Sequence, residues 1–123
     1  MNFDSSNKAI FLQITDRICD QIVAGEYADD ARLPSVREYA ASVEVNANTV
    51  MRAYDRLADK GLIYNRRGIG YFVAPGAKLQ IIKERGKELI ESKLEPMFDL
   101  LHHMGVSPDA LRDAYREYID KQK

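Results

Sequence analysis

Residues 45–62, VNANTVMRAYDRLADKGL, open on two asparagines around an alanine and then turn apolar at helical intervals. Val50, Ala53, Tyr54 and Leu57 stand at i, i+3, i+4 and i+7, the spacing of one face of an α-helix. Asn46 is a residue type that caps a helix start and Gly61 one that follows a helix end, so a helix is predicted over residues 46–60. At 100° per residue, Asn48, Thr49, Arg52 and Arg56 fall within an arc of about 100° on the opposite side. One face of this helix is suited to packing, and the other presents hydrogen-bonding groups.

The flanks give that helix a context. Upstream, Ser35 stands three residues before Glu38, a capping box that starts a short helix over Val36–Val43, with Val36, Ala40 and Val43 on one face. Only Glu44 and Val45 separate it from the Asn46 cap. Further upstream, Ile10, Ile14, Ile18 and Ile22 recur every four residues, widened by Phe11 and Val23 and followed by Gly25, which predicts an amphipathic helix over residues 8–24. Downstream, β-prone residues 62–64 and 71–73 flank a loop in which Arg66 and Arg67 precede Gly68 and Gly70, a hairpin with a basic tip. Two helices joined by a short turn and followed by a basic hairpin form the layout of a winged helix-turn-helix.

In that layout the second helix of the pair enters the major groove with its N-terminal residues against base edges. Asn can bridge adenine, Arg can bridge guanine, and Thr can bond a base or a phosphate, which makes Asn48, Thr49 and Arg52 the base-reading candidates. Arg66, Arg67 and Gly68 sit where a hairpin tip reaches phosphates or the minor groove. Arg37 lies at a helix start, where its charge opposes the helix dipole, a placement that a phosphate would offset. Each has a plainer alternative: a solvated helix face for the arc, and an ion pair with Glu38 or Glu44 for Arg37. Asn46 is first of all an N-cap, whose loss costs about 1 kcal/mol.

Beyond Pro75 and Gly76 the composition shifts to helix formers. Leu79, Ile82, Leu89, Met97, Leu100, Leu101 and Met104 keep a helical rhythm as far as Gly105. Pro96 interrupts it and is expected to kink or divide the helix near residues 93–95. In GVSPD, Gly105 ends one helix, Ser107 caps the next and Pro108 begins it; Leu111, Ala114, Tyr115, Tyr118 and Ile119 form its apolar face. The chain therefore reads as mainly α with a small β hairpin: a winged helix-turn-helix over residues 1–75, then a C-terminal two-helix arm within residues 76–123.

Composition bounds the function. With 123 residues, 46% of them hydrophobic, the chain can bury one ordinary core and carry an appendage. The single cysteine, Cys19, forms no intramolecular disulfide and reads as a small buried hydrophobe, and no leader begins the chain, so a cytoplasmic location is expected. No apolar run approaches the roughly 20 residues that span a bilayer. The net charge of −1 conceals an asymmetry: residues 1–34 hold 3 basic and 6 acidic side chains, whereas residues 35–73 hold 6 and 4. Positive charge gathers where the DNA-binding candidates are. His102 and His103 are adjacent and cannot form the i, i+4 pair of a zinc helix; RRGIGYF lacks the third glycine of a nucleotide-binding turn; no Ser, His and Asp set suggests nucleophilic catalysis. Neither an enzyme nor a bound cofactor or metal is expected.

LPSVREYAASVEVNANTVMRAYDRLADKGLIYNRRGIGYFV, residues 33–73, resembles the DNA-binding domain of GntR-family bacterial transcription regulators, whose pattern runs L-P-S-x-R-x-L-A-x-x-L-x-V, T-V-x-x-A-Y-x-x-L-x-x-x-G-L-I and G-x-G-x-F-V. With IFLQITDRICDQIVAGEY the resemblance spans about the first 75 residues. The tail resembles that of the YtrA-type subfamily, which dimerises through a small C-terminal helical unit. The resemblance implies a repressor that binds an inverted-repeat operator as a homodimer. It puts Arg37, Asn46, Asn48, Thr49, Arg52, Arg67 and Gly68 at DNA-contacting or adjacent positions; Ser35 and Arg66 complete the candidate set. Leu89, Met97, Leu100, Leu101, Met104, Leu111 and Tyr115 are the candidate dimer seam. The sequence departs from the pattern in two respects. Ala47 and Met51 stand where many members carry arginine, and Glu44 stands where glycine is common, so the backbone there has to adopt a less favourable conformation or a different turn. Fewer than about 50 residues follow the wing, too few for an independent effector domain or an aminotransferase-like domain. Two other readings stay open: a protein-interaction module, and a small-molecule sensor whose pocket forms at the dimer interface beside Met97, Met104, Tyr115 and Tyr118.

Overall fold

Ile14, Ile18 and Ile22, one helical turn apart, carry the first helix into the core, while Ile10 at its start stays 45% exposed. In the computed structural model, which describes residues 8–123, this helix is α1, Ile10–Val23. It is followed by α2, Val36–Val43, and α3, Ala47–Asp59, and α3 packs against both. The apolar stripe of α3 is the centre of the core: Val50, Ala53, Tyr54 and Leu57 have no accessible surface. Cys19 is buried beside the isoleucines.

The start of α2 and the turn after it are fixed locally. Ser35 Oγ accepts from Glu38 N at 3.1 Å, and Glu38 Oε1 accepts from Ser35 N at 3.3 Å, the expected capping box. Tyr39, which the sequence reading left off the apolar face of α2, is buried with Ala40 and Val43. At Glu44 the chain turns through the left-handed region, φ 56° and ψ 46°. This is the less favourable conformation anticipated where glycine is the common residue, and a side chain there costs on the order of 1 kcal/mol.

The hairpin pairs β1, Ile63–Arg66, with β2, Gly70–Val73, in antiparallel register from Ile63 opposite Val73 to Arg66 opposite Gly70. Arg66 and Gly70 are strand residues rather than loop residues, so the tip is only Arg67, Gly68 and Ile69. A short extended segment joins the other side of β2: Leu33 N donates to Tyr71 O, and Val73 N donates to Ala31 O, both at 2.9 Å. Arg32 forms a bridge there with Phe72.

Helix α4, Ala77–Leu89, begins within the same core, with Ala77 and Ile81 buried and Gln80 Nε2 donating to Lys60 O at 2.8 Å. The first compact unit ends at Lys83, and the second is Glu84–Lys123. In the second unit a π-helical turn, Ile90–Leu94, leads into α5, Glu95–His103, and α6 follows over Pro108–Lys121. The wide turn overlaps the expected break. Pro96 has no N–H to give to the preceding turn, and its ring would collide with the carbonyl four residues back. A π-turn just before it, with Glu95 N bonded to Ile90 O, accommodates the ring without ending the helix. Ser107 Oγ caps α6 by accepting from Ala110 N at 3.1 Å, with Pro108 in the first helical position. None of the π-turn, α5 or α6 contains a buried residue. Among the described residues no helix is long and apolar enough to cross a membrane.

Candidate nucleic-acid interface

The leading end of α3 is held by its own cap. Asn46 Oδ1 accepts from Asn48 N at 2.7 Å, and the amide nitrogen of Asn46 takes no part in that bond. Asn46, Ala47 and Asn48 are exposed and Thr49 is half-buried. Because the opposite face is locked in the core, these side chains cannot rotate inward, and the positive end of the α3 helix dipole lies beside them.

Arg52 is placed differently from its neighbours in the predicted arc. Its guanidinium lies over the ring of Phe11 on α1, 4.1 Å from the centroid, a cation–π contact on the α1 flank of α3. It shares a surface groove of about 380 Å³ with Asp55, Arg56, Asp59 and Lys60. The contact gives Arg52 a partner within the protein that helical spacing alone did not reveal.

Arg37 is exposed in the first turn of α2. Glu38, one of the acids considered as its partner, has its carboxylate engaged by the Ser35 backbone. Ser35 in turn uses its Oγ lone pair on Glu38 N, which leaves its hydroxyl proton for any further contact.

The wing gathers more positive charge than the loop sequence indicated. Arg66 on β1 lies over Phe72, 5.6 Å from the ring centroid, and Phe72 stacks on Tyr64 at 5.7 Å. Tyr64 donates its hydroxyl to Asp30 Oδ1 at 2.8 Å, and that hydrogen bond, with burial and the Asp30 charge behind it, raises the Tyr64 pKa. Arg67 and Gly68 are exposed at the tip, and Gly68 has φ +79°, a conformation that favours glycine at this turn. Arg32 is the residue that sequence reasoning missed. Pairing of its segment with β2 brings its guanidinium against Gly70, where Nε lies 3.3 Å from the position a Cβ would occupy. No spacing rule could have linked it to the wing, since the link is tertiary.

In the second unit the candidate seam residues are at the surface: Leu89, Met97, Leu100, Met104 and Tyr115 are 47–71% exposed, and Leu101 and Leu111 are half-buried. Phe98, Leu101 and His102 of α5 face Val106, Pro108 and Leu111 across a cleft of about 340 Å³. None of the four residues expected beside a pocket, Met97, Met104, Tyr115 and Tyr118, lines this cleft; all four are exposed.

Residues 11–73 match the family described as "Bacterial regulatory proteins, gntR family". The chain is 32% identical over 115 residues to the HTH-type transcriptional regulator YhcF of Bacillus subtilis, covering 94% of this chain and 93% of that protein. It is 30% identical to the HTH-type transcriptional repressor YtrA of the same organism, covering 91% and 85%. Among solved structures, a GntR-family transcriptional regulator from Bacteroides thetaiotaomicron shares 46% identity and superposes with a TM-score of 0.73 over 94% of this chain and all of that one.

Proposed function

The chain belongs to the GntR family of bacterial regulatory proteins, transcription regulators that bind DNA, and from that premise we propose that it is a repressor gripping an inverted-repeat operator as a homodimer. The observation that carries this reading is the division of α3: its apolar stripe is wholly buried, while Asn46, Asn48 and Thr49 are presented at its leading end, in the same compact unit as a wing carrying Arg32, Arg66 and Arg67. In the proposed complex the leading end of α3 enters the major groove. Arg67 and the Gly68 backbone reach the flanking phosphates or minor groove, and Arg66 supports them from β1. Arg37 and Ser35, at the start of α2, meet a phosphate near that helix's N-terminus. Arg52, stacked on Phe11, contributes charge along the flank.

The second unit supports the twofold partner. Apolar side chains at this density on a surface usually mark an interaction site, and a second copy of the same surface is the commonest solution in homo-oligomers. A dimer places two α3 helices on half-sites about one helical turn apart, or a multiple of it, and repression then follows from occupying the operator. The relative YtrA is named a repressor, which favours that sign of regulation here. The cytoplasm, where the DNA is, is the expected location.

Titration of the full chain against duplexes from a genomic library, at several salt concentrations, tests the reading. A specific duplex should bind at least about 10³-fold more tightly than random sequence. Equal affinity for all duplexes would overturn it.

A further inference from the structure

Ala47, Asn48 and Met51 occupy one arc of about 100° at the leading end of α3. Ala47 and Asn48 are exposed and Met51 is half-buried, so all three have surface to offer a groove. The arc contains no arginine. Arg52, the first arginine of the helix, is drawn to the α1 flank by Phe11 at 4.1 Å, in a groove also lined by Asp55 and Asp59. Arg56 lines the same groove one turn further from the leading end.

This composition selects among base pairs. Guanine is read best by an arginine or lysine bridging O6 and N7, and none stands in the arc. Adenine offers N7 as acceptor and N6 as donor, which a carboxamide matches with two hydrogen bonds, and thymine alone offers a methyl group in the major groove. We propose that the half-site read by α3 is centred on A·T pairs, with Asn48 bridging an adenine and Ala47 and Met51 packing on thymine methyl groups. The proposal rests on the reading of α3 as the recognition helix and deepens it from DNA binding to a base preference.

Selection of bound sequences from a random duplex pool by the full-length protein, followed by deoxyuridine scanning of the selected site, tests it. Replacing thymine by deoxyuridine removes only the methyl group. We expect an A·T-centred half-site and a loss of about fourfold in affinity at each contacted thymine. In Met51→Gln, similar in length but polar, one of those methyl effects should vanish. In Ala47→Arg, an exposed change that leaves the core untouched, guanine should replace a base at one position of the selected site. Clear enrichment of a G·C-centred half-site, or deoxyuridine substitution without effect, would overturn the base preference while leaving the DNA-binding reading intact. A pool in which no sequence is enriched would overturn the recognition-helix reading, and this proposal with it.

Discussion

Tyr54 has its entire ring inside the core and still satisfies its polar end, because its hydroxyl donates to Pro34 O at 2.6 Å. The bond ties α3 to the residue just before the α2 cap, and the ring is held edge-on by Tyr71 at 5.1 Å and Tyr39 at 6.2 Å. Tyr54→Phe leaves the Pro34 carbonyl without this partner and should cost about 1–2 kcal/mol in denaturant unfolding at neutral pH. Burial, with smaller contributions from neighbouring tyrosines and Glu38, holds the Tyr54 pKa far above its ordinary value of 10.0. A group whose folded pKa is raised contributes stability that is complete below the unfolded pKa and is lost as pH climbs toward the folded one. Stability should therefore decline above pH 10, at up to about 1.4 kcal/mol per pH unit from this residue, as the unfolded chain ionises first. Burial raises Tyr39 and Tyr71 as well, so the decline is shared. Unfolding titrations should show a shallower decline in Tyr54→Phe than in the unaltered protein; parallel curves would contradict this account.

The wing is the element in which local sequence and long-range pairing meet. Its tip is a three-residue turn closed by Ile69 N donating to Arg66 O at 2.9 Å, and its outer face is a stack of Tyr64, Phe72 and Arg66. Arg67 stands clear at the tip, so Arg67→Ala should leave the fold unchanged and weaken binding to all DNA sequences by a similar factor. If it contacts one phosphate, the slope of log affinity against log salt should fall by about 1. Binding measured on specific and random duplexes across a salt series checks this; a loss confined to the specific duplex would reassign Arg67 to base reading. The π-turn at Ile90–Leu94 makes a similar point about elements. Proline at position 96 signalled a disturbance, but only the backbone bonds of the folded helix show that an extra residue in one turn absorbs it.

At the scale of the whole molecule, the contrast is between a first unit with a closed core and a second unit whose π-turn, α5 and α6 contain no fully buried residue. Met104 is 71% and Tyr115 66% exposed, so the double change Met104→Glu, Tyr115→Glu should leave thermal unfolding of the first unit intact while placing charge on the proposed seam. If the proposed dimer forms through this seam, sedimentation equilibrium should show a dimer for the unaltered chain and a monomer for the variant, and operator affinity should fall at least tenfold as the two half-sites cease to be bound together. An unaltered monomer would refute the seam. The residues of 45–62 were sufficient, by periodicity and capping alone, to determine the helix, its buried stripe and its polar leading end, because those depend on neighbours three or four positions away. The same holds for the capping box at Ser35, the basic hairpin and the caps around Gly105 and Ser107. Tertiary structure alone decided the rest. Arg52 meets Phe11 because α1 packs on α3, and Arg32 reaches the wing because its segment pairs with β2. Each of these contacts joins residues far apart in the chain, and a local rule carries no information about which distant surfaces a folded core will bring together.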